Sequence, residues 1–248
     1  MPTEAGNALA ARLTPLLAET RAALQDAANS QADVRGLLKL NVTGAVMIDI
    51  LPPVIDRFLT LHPQVRVEIM VDDRLVDIVA AGCDAGIRYG EHLAQDMIAV
   101  PVGPPLQRLA YAAAPSYLAK HPTISGPREL AAHAAIRLRF SSGALVAWEF
   151  ERGDELLTVD PPSRLTIGVD AAHAAIASAR AGHGVIATFQ NWLDPYFENG
   201  SLQPILPEWW PTFEGPQLYF SRRFVPAPLR AFIDFVVSQR KSSGRDDA

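Results

Sequence analysis

Cysteine is nearly absent from this chain of 248 residues, and long apolar runs are missing. The single cysteine, Cys83, excludes a disulfide within the chain, which fits a reducing compartment. Proline or charged residues interrupt every candidate for a transmembrane helix of about 18 apolar residues. The start, MPTEAGNALAARL, lacks the basic and apolar regions of a secretory signal. We therefore expect a cytoplasmic protein that does not enter a membrane.

Basic residues are also fewer than acidic residues. The chain has 22 Lys and Arg residues against 27 Asp and Glu residues, which leaves a net charge of −5. Proteins that bind DNA neutralise its phosphates with clustered Lys and Arg side chains. The densest basic run, Arg240-Lys241 followed by Arg245, lies in a polar tail. These residues are therefore expected to bind DNA poorly by themselves.

Motifs for catalysis, metals and cofactors are missing as well. The six histidines show neither His-Glu-x-x-His nor any Cys/His metal spacing. Neither a Gly-x-Ser-x-Gly elbow nor a Gly-x-x-x-x-Gly-Lys phosphate loop occurs. The sequence therefore predicts no enzyme, no metal and no cofactor, although spacing alone does not exclude residues that converge only in three dimensions.

Apolar residues, by contrast, make up 49% of the chain, and their spacing alternates between strand and helix periods. Residues 2–30 form a predicted helix, which is either an ordinary surface helix or a segment that pairs with another chain. The next predicted elements are strand 37–43, helix 46–61, strand 65–71, helix 74–81 and strand 85–89. This βαβαβ order is typical of a parallel sheet covered by helices.

A second set of elements follows an extended segment at residues 98–114. Its predicted strands are 136–140, a hairpin over 148–159, and 165–169, 185–189 and 202–206. A last strand and helix, at 217–221 and 226–239, are too few for a domain, so we expect them to return to the first sheet. The order indicates two α/β lobes joined by crossing segments near 105–114 and 207–217. Ligands of such sheets bind at the carboxyl ends of the strands, which would face a cleft between the lobes.

Several stretches of this sequence follow the pattern of a known family, and the main ones are PTEAGNAL (2–9), ILPPVIDRFLTLHPQVRVEI (50–69) and RLVDIVAAGCDAGIRYG (74–90). Through these stretches, which keep the family's order over nearly the whole chain, the sequence resembles the LysR-type transcriptional regulators. The resemblance implies the type II periplasmic-binding-protein fold, an α/β fold with two mixed sheets flanked by helices.

The resemblance also implies how the chain is divided. It predicts a linker helix at 1–32, a first regulatory lobe at 36–106 and 217–241, and a second lobe at 107–216. The winged helix-turn-helix that precedes these parts in the family is missing. We therefore expect the chain to be a truncated form of a longer regulator.

The candidate ligand contacts of the first lobe lie at the ends of its strands. Thr43, Gly44 and Ala45 join the first strand to a helix, where backbone N–H groups and a hydroxyl can hold an anion or a carbonyl. The family commonly places effector contacts in this turn. The alternative is that the segment is only a tight strand-to-helix turn without a binding role. Arg74 follows the second strand. Arg88 ends the third, where it either faces the cleft or pairs with an acidic neighbour.

The candidate contacts of the second lobe have a similar position. Arg139, Phe140, Ser141 and Ser142 combine a cation, an aromatic ring and two hydroxyls at one strand end, as small-molecule pockets require. The alternative is a serine-rich loop without a binding role. Gln190 follows the strand at 185–189 and is a weaker candidate.

The resemblance implies a sensor that binds a small molecule, such as an organic acid, between the lobes and thereby controls transcription. A homodimer or tetramer is expected, and DNA would be bound only through the missing N-terminal module. Three alternatives remain open at this point: a solute-binding protein of a transporter, an enzyme on the same scaffold, and regulation without any ligand.

Overall fold

The structure is a computed structural model that describes residues 34–72, 82–90, 97–222 and 225–243, together with residues 3, 6, 9, 13 and 20. Gly6, Leu9, Leu13 and Thr20 are helical, and the remainder of the helix predicted at 2–30 lies outside the described residues. The helix predicted at 74–81 also lies outside them. In the described part of the chain, no helix is long and apolar enough to cross a membrane.

The described part of the chain alternates strands with short helices. The strands are β1 (Gly36–Val42), β2 (Val65–Val71), β3 (Ala85–Arg88), β4 (Met97–Pro101), β5 (Leu106–Ala113), β6 (Ala135–Arg139), β7 (Trp148–Arg152), β8 (Glu155–Val159), β9 (Ser163–Gly168), β10 (Val185–Phe189), β11 (Gln203–Ile205), β12 (Thr212–Glu214) and β13 (Gln217–Ser221). The α-helices are α1 (Gly44–Asp49), α2 (Leu51–Leu61), α3 (Pro115–Leu118), α4 (Ala172–Arg180), α5 (Gln190–Glu198) and α6 (Ala227–Ser243).

The contacts divide the chain into two compact units. The first unit comprises Met1–Pro105 and Gly215–Ala248, and the second is the continuous stretch Leu106–Glu214. The ends of the second unit meet, because Leu106 of β5 is the antiparallel partner of Glu214 of β12. The flanking residues meet as well, since the Gly215 N–H donates to the Pro105 carbonyl at 2.9 Å.

The first unit is built on a five-stranded sheet of order β2-β1-β3-β13-β4. β1 runs parallel to β2 and β3, whereas β13 runs antiparallel to β3 and β4. The predicted return of the last strand and helix is confirmed, because β13 lies inside this sheet and α6 packs on the same core. The ring of Phe58 in α2 meets the ring of Phe232 in α6 edge-to-face, with centroids 5.0 Å apart.

The predicted helix at 46–61 is two helices that break at Ile50. Pro52 and Pro53 directly follow this break, and their missing N–H groups are best tolerated in the first turn of a helix. The position of the two prolines therefore explains why the helix breaks here.

The second unit is built on a six-stranded sheet of order β11-β5-β10-β6-β9, to which β12 adds by pairing with β5. β6 runs parallel to β9 and β10, whereas β5 runs antiparallel to β10. The predicted hairpin is confirmed as β7 and β8. It packs on the sheet, because the ring of Phe150 stacks on the ring of Tyr111 at 4.1 Å.

Three features of this region differ from the sequence-based expectations. The extended segment predicted at 98–114 is two strands: β4 belongs to the first sheet and β5 is an inner strand of the second. The helix α5 was not predicted, because Pro195 interrupts its pattern. Strand β12 lies in the crossing segment near 207–217 and was not predicted.

A further feature of this region concerns β6, in which the charged residue Arg137 is only 3% exposed. The guanidinium lies 5.6 Å from the Trp148 ring. It donates to Asp160 Oδ1 at 2.5 Å and to the carbonyls of Pro161 and Val146. These contacts explain why the burial of this cation is tolerated.

Candidate functional site

The turn at Thr43 is the candidate site of the first unit. Thr43 has extended backbone angles, φ −77° and ψ 153°, and is the residue directly before α1. Its N–H donates to the Ile87 carbonyl at 3.4 Å, which ties the turn to β3. The Asp72 N–H donates to the Val42 carbonyl at 2.9 Å, which ties it to the end of β2. The turn therefore lies between two neighbouring strand ends.

The hydroxyl of Thr43 has an unusual environment. A threonine in this position ordinarily accepts a hydrogen bond from the first turn of the helix, but Thr43 makes no such capping bond. Its Oγ1 is buried and has no partner among the described residues. A buried hydroxyl without a partner costs about 1–3 kcal/mol. The turn thus carries a hydroxyl that could form a hydrogen bond with a bound molecule. The adjacent residues Gly44 and Ala45 are half-buried.

Arg88 lies at the same end of the first sheet but is 2% exposed. Its Nε donates to Tyr219 Oη at 2.8 Å, and its Nη2 donates to Asn41 Oδ1 at 2.5 Å. Asn41 is itself 1% exposed, so the contact is fully buried. The guanidinium is therefore held by side chains of its own sheet. Arg74, the other predicted cation of this unit, lies outside the described residues.

The close approach of Tyr219 to Arg88 depends on Gly86. A Cβ at position 86 would lie 2.5 Å from the ring of Tyr219, which is impossible without movement of the ring. The glycine thus leaves room for the phenol that orients the arginine. Neither Asn41, Gly86 nor Tyr219 was singled out from the sequence.

Cys83 is buried, at 6% exposed, and its Sγ lies 3.6 Å from Met70 Sδ. Burial raises the pKa of the thiol, and the charge of Asp84 raises it further. A raised pKa keeps the thiol in its unreactive protonated form. The residue therefore acts as a small apolar filler beside β3.

In the second unit, Arg139 is the last residue of β6, and Phe140, Ser141 and Ser142 lie in the exposed turn that follows it. The turn is closed by its backbone, since the Phe140 N–H donates to the Ala144 carbonyl at 2.9 Å. Arg139 Nη1 donates to the Gly143 carbonyl at 2.7 Å. Phe140 is 42% exposed, so its ring is available to a ligand.

Gln190 begins α5 at the end of the neighbouring strand β10 and is half-buried. Its Nε2 lies 3.4 Å from Asp194 Oδ1. Two residues before it, Thr188 is 2% exposed, and its Oγ1 has no partner in the part of the unit that is described. Because β6 and β10 are parallel neighbours, the turn at Phe140 and the residues Thr188 and Gln190 belong to the same edge of the sheet.

The sequence pattern did not reveal the buried polar groups of this edge. Thr188 lies in the apolar strand VIATF, where a threonine is an ordinary strand residue. Gln107 and Trp192 were also missed, although Gln107 Oε1 and Trp192 Nε1 are buried without partners in the described ranges. Only the tertiary structure shows which polar atoms remain unsatisfied, so no sequence signal could have identified them.

A separate cluster of titratable rings lies next to the start of β6. The Tyr117 hydroxyl accepts from the Ala134 N–H at 2.9 Å and lies 3.3 Å from His133 Nδ1. His121 stacks on Tyr117 at 3.9 Å between ring centroids. His133 is 1% exposed; burial lowers its pKa, and the charge of His121 lowers it further. Among the described residues, no group of three or more His, Cys, Asp or Glu side chains could hold a metal.

Comparison with known proteins identifies the family. Residues 31–241 match the LysR substrate binding domain family. A transcriptional regulator of Pseudomonas aeruginosa is 33% identical over 233 residues, which cover 94% of this chain and 75% of the relative. The HTH-type transcriptional regulator YcaN of Escherichia coli is 31% identical over 235 residues, which cover 94% of this chain and 76% of the relative.

Solved structures agree on the fold. The full-length Vibrio cholerae virulence activator AphB matches with a TM-score of 0.71 at 21% identity, covering 95% of this chain and 79% of that one. The regulatory domain of CrgA from Neisseria meningitidis matches with a TM-score of 0.68 at 22% identity, covering 83% of this chain and 98% of that one. The predicted α/β fold of the type II periplasmic-binding-protein kind, with two mixed sheets flanked by helices, is confirmed.

These matches also exclude two of the three alternatives that the sequence left open. The matched relatives are transcriptional regulators, which are neither enzymes nor solute-binding proteins of transporters. The chain belongs to the LysR family of transcriptional regulators and comprises the effector-binding domain of such a regulator.

Proposed function

We propose that this domain senses a small organic acid through polar groups at the carboxyl ends of its strands. The observation that carries the proposal is the buried hydroxyl of Thr43, at the turn between β1 and α1, which has no partner among the described residues. Native structures rarely leave such a group unsatisfied, and ligands of parallel sheets bind at the carboxyl ends of the strands, where this turn lies.

In the first unit, the proposed contacts are Thr43, Gly44 and Ala45, with Arg74 as a further candidate. Arg88 contributes its positive charge rather than a direct contact, because its guanidinium is engaged by Asn41 and Tyr219. A fixed cation at the strand ends lowers the cost of placing a carboxylate nearby, since the protein interior screens charge less than water does. This charge supports an acid over a neutral ligand at Thr43.

In the second unit, the proposed contacts are Arg139, Phe140, Ser141, Ser142 and Gln190. The exposed ring of Phe140 offers an apolar surface, and the two serines offer hydroxyls beside it. This combination of apolar and polar groups is what small-molecule sites require. The cleft predicted from the sequence stays a prediction.

Ligand binding would act on transcription by shifting a conformational equilibrium. A ligand shifts such an equilibrium only by its difference in affinity for the two states, and typical couplings are about 1–3 kcal/mol. In the whole regulator, this shift would change how DNA-binding modules N-terminal to this domain engage an operator. The domain itself would contact the effector and other copies of itself.

The variant Thr43→Val tests the proposal. Valine has the shape of threonine but removes the unpartnered hydroxyl, so we expect the melting temperature of the free chain to stay unchanged or rise. We expect a library of small organic acids to contain compounds that raise the melting temperature of the original chain. The same compounds should stabilise Thr43→Val much less.

Two results would contradict the proposal. One is a broad library that produces no shift in the original chain, which would favour regulation without a ligand. The other is an equal shift in both chains, which would place the ligand away from Thr43. The variant Ser201→Ala, which removes a buried hydroxyl far along the second unit, serves as the matched control and should keep the full shift.

A further inference from the structure

The cluster of titratable rings next to the start of β6 joins separate segments of the second unit. Tyr117 belongs to α3, and His133 ends the 3₁₀ helix that leads into β6; each is 1% exposed. Ala134, the next residue, donates its N–H to the Tyr117 hydroxyl and accepts from the Val185 N–H of β10, both at 2.9 Å. The Tyr117 hydroxyl therefore ties α3 to the point where β6 begins to pair with β10.

The hydrogen bonds of this cluster depend on the charge of His133. The Tyr117 oxygen accepts from Ala134, and burial raises the pKa of the phenol, so Tyr117 keeps its single proton. When the imidazole is neutral, His133 Nδ1, 3.3 Å from the hydroxyl oxygen, accepts that proton. A protonated imidazole carries a hydrogen on both nitrogens, so the phenol loses this acceptor. The cluster then holds an unsatisfied donor beside a poorly hydrated cation.

His121 makes a charge on His133 still less favourable. Its Nδ1 lies 2.7 Å from the Tyr117 carbonyl, which only accepts, so this nitrogen carries the hydrogen and Nε2 gains any further proton. The exposed ring of His121 stacks on the Tyr117 ring, an arrangement that tolerates a cation. The two imidazole centroids are 6.0 Å apart, so the charge of His121 opposes a second charge on His133.

The other charges that act on the rings compensate little. Glu129 of the 3₁₀ helix favours a charged His133, but its side chain is exposed and accepts from the Ser125 N–H. Arg164 of β9, whose charge acts on Tyr117, is a further cation. A neutral His133 is therefore the form that fits this environment.

Charged residues of the adjoining elements are exposed or bound elsewhere. On β8, which packs against the 3₁₀ helix, Glu155 pairs with Arg152 at 3.6 Å. The turn after α4 packs against α3 through Gly182, and His183 in that turn is exposed. Further exposed residues are Lys120, Arg128 and His173, and further bound ones are Arg137, with Asp160, and Arg180, over the Tyr196 ring.

We propose that Tyr117, His121 and His133 form a proton-operated latch, which holds α3 against the start of β6 while His133 is neutral and releases it in acid. The first sheet stays intact, because the latch uses residues of the second unit alone. The proposal goes beyond the sensing of an organic acid: the latch lies at the amino end of β6, whereas the candidate ligand contacts lie at its carboxyl end, and it needs no ligand. It adds a response to acid to the domain.

Titration of the histidine side chains of the full chain by NMR tests the chemistry of the latch. His133→Gln assigns the His133 resonance. Tyr117→Phe removes the hydroxyl that binds the neutral imidazole, so the His133 midpoint should rise by about 0.5–1 pH unit. His121→Gln keeps a donor for the Tyr117 carbonyl but removes the charge, so the midpoint should rise there as well. His183→Gln is the matched control and should leave the midpoint unchanged.

Hydrogen exchange followed by mass spectrometry measures the release itself, at about pH 7.5 and pH 5, with exchange times scaled for the slower chemical rate in acid. We expect peptides that cover residues 115–134 and 185–189 to lose protection in acid, while the peptide that covers β13 keeps it. In His133→Gln, the side-chain amide accepts from Tyr117 but gains no proton. This variant should therefore keep its protection at both pH values.

Several results would overturn the proposal. One is a His133 that stays unprotonated throughout this range, and another is a midpoint that moves in neither Tyr117→Phe nor His121→Gln. A third is an equal loss of protection in His133→Gln and in the original chain. A loss that extends equally to β13 would mean that acid unfolds the chain as a whole rather than opening a latch.

Discussion

Arg137 connects three separate segments of the second unit. It lies in β6, and its guanidinium reaches Asp160 and Pro161 at the approach to β9 and Val146 at the approach to β7. It also lies over the ring of Trp148 in the hairpin. A buried arginine with several fixed donors is suited to this role, because its planar guanidinium binds several acceptors at once.

Replacement of Arg137 by methionine should therefore destabilise the chain by about 2–3 kcal/mol, since buried carbonyls lose charged donors. Urea unfolding of the two chains measures the difference. The matched control is Asp160→Asn. The Asp160 side chain is 85% exposed, so this change should cost less than about 1 kcal/mol. A larger cost for Asp160→Asn than for Arg137→Met would refute this assignment.

His133 makes stability depend on pH. Burial lowers its pKa in the folded chain, the charge of His121 lowers it further, and Glu129 opposes both. The unfolded chain therefore binds more protons than the folded chain below the ordinary pKa of histidine, about 6.5. Stability should then rise with pH across this window and be lost progressively as the pH falls below about 6.5.

The measurement is the free energy of unfolding between pH 5 and 7.5 for the original chain and for His133→Phe. The phenylalanine keeps a ring in the same position but does not titrate, so the slope of stability against pH should become flatter. An unchanged slope would mean that other groups cause the acid sensitivity. His183→Phe is the control, because that residue lies outside the ring cluster and is exposed.

At the scale of elements, strand pairing in the first sheet depends on the missing side chain of Gly86. The Tyr219 ring occupies the space above it, where β13 pairs with β3. Gly86→Ala should displace the tyrosine, weaken its hydrogen bond with Arg88 and destabilise the chain by about 1–3 kcal/mol, as overpacking does. Thermal unfolding compared with Gly126→Ala checks this. A Cβ at position 126 meets nothing, so the control should stay within about 0.5 kcal/mol.

The elements also show how far the sequence could predict the fold. Strand β2 was identified because Val65, Val67 and Ile69 alternate with Arg66 and Glu68, and β13 was recognised as a strand that must find partners elsewhere. The division between β4 and β5 was not predicted. Pro101, Pro104 and Pro105 interrupt an apolar segment, but they do not show that its two halves join different sheets. The predicted strand ends indicated Thr43 and Phe140 as candidate ligand contacts. The missing hydrogen-bond partners of Thr188, Gln107 and Trp192 depend on tertiary contacts, which the sequence pattern does not contain.

At the scale of the whole molecule, membership of the LysR family implies association between copies of the chain. β2 is an edge strand of the first sheet, and the nearby Leu61 side chain is 62% exposed at the end of α2. Exposed apolar groups beside an unpaired strand edge favour contact with another chain. We therefore expect light scattering to report about twice the monomer mass of 26.9 kDa.

The variant Leu61→Lys should shift this mass toward the monomer without lowering the melting temperature, because the side chain is mostly in solvent. Leu156→Lys is the control: its residue is 74% exposed at the hairpin, and association should be retained. A monomer in the original chain at high concentration, or a dimer insensitive to Leu61→Lys, would argue against this edge as the contact.

The pairing of Leu106 with Glu214, and of Pro105 with Gly215, has a practical consequence for dissecting the protein. Because the two ends of residues 106–214 pair with each other, this stretch enters and leaves the first unit at one place, and we expect it to fold when it is expressed alone. In the first unit, a short peptide linker from Pro105 to Gly215 would replace the removed stretch and join the two remaining segments. Each half could then be purified and its ligands assigned to it separately.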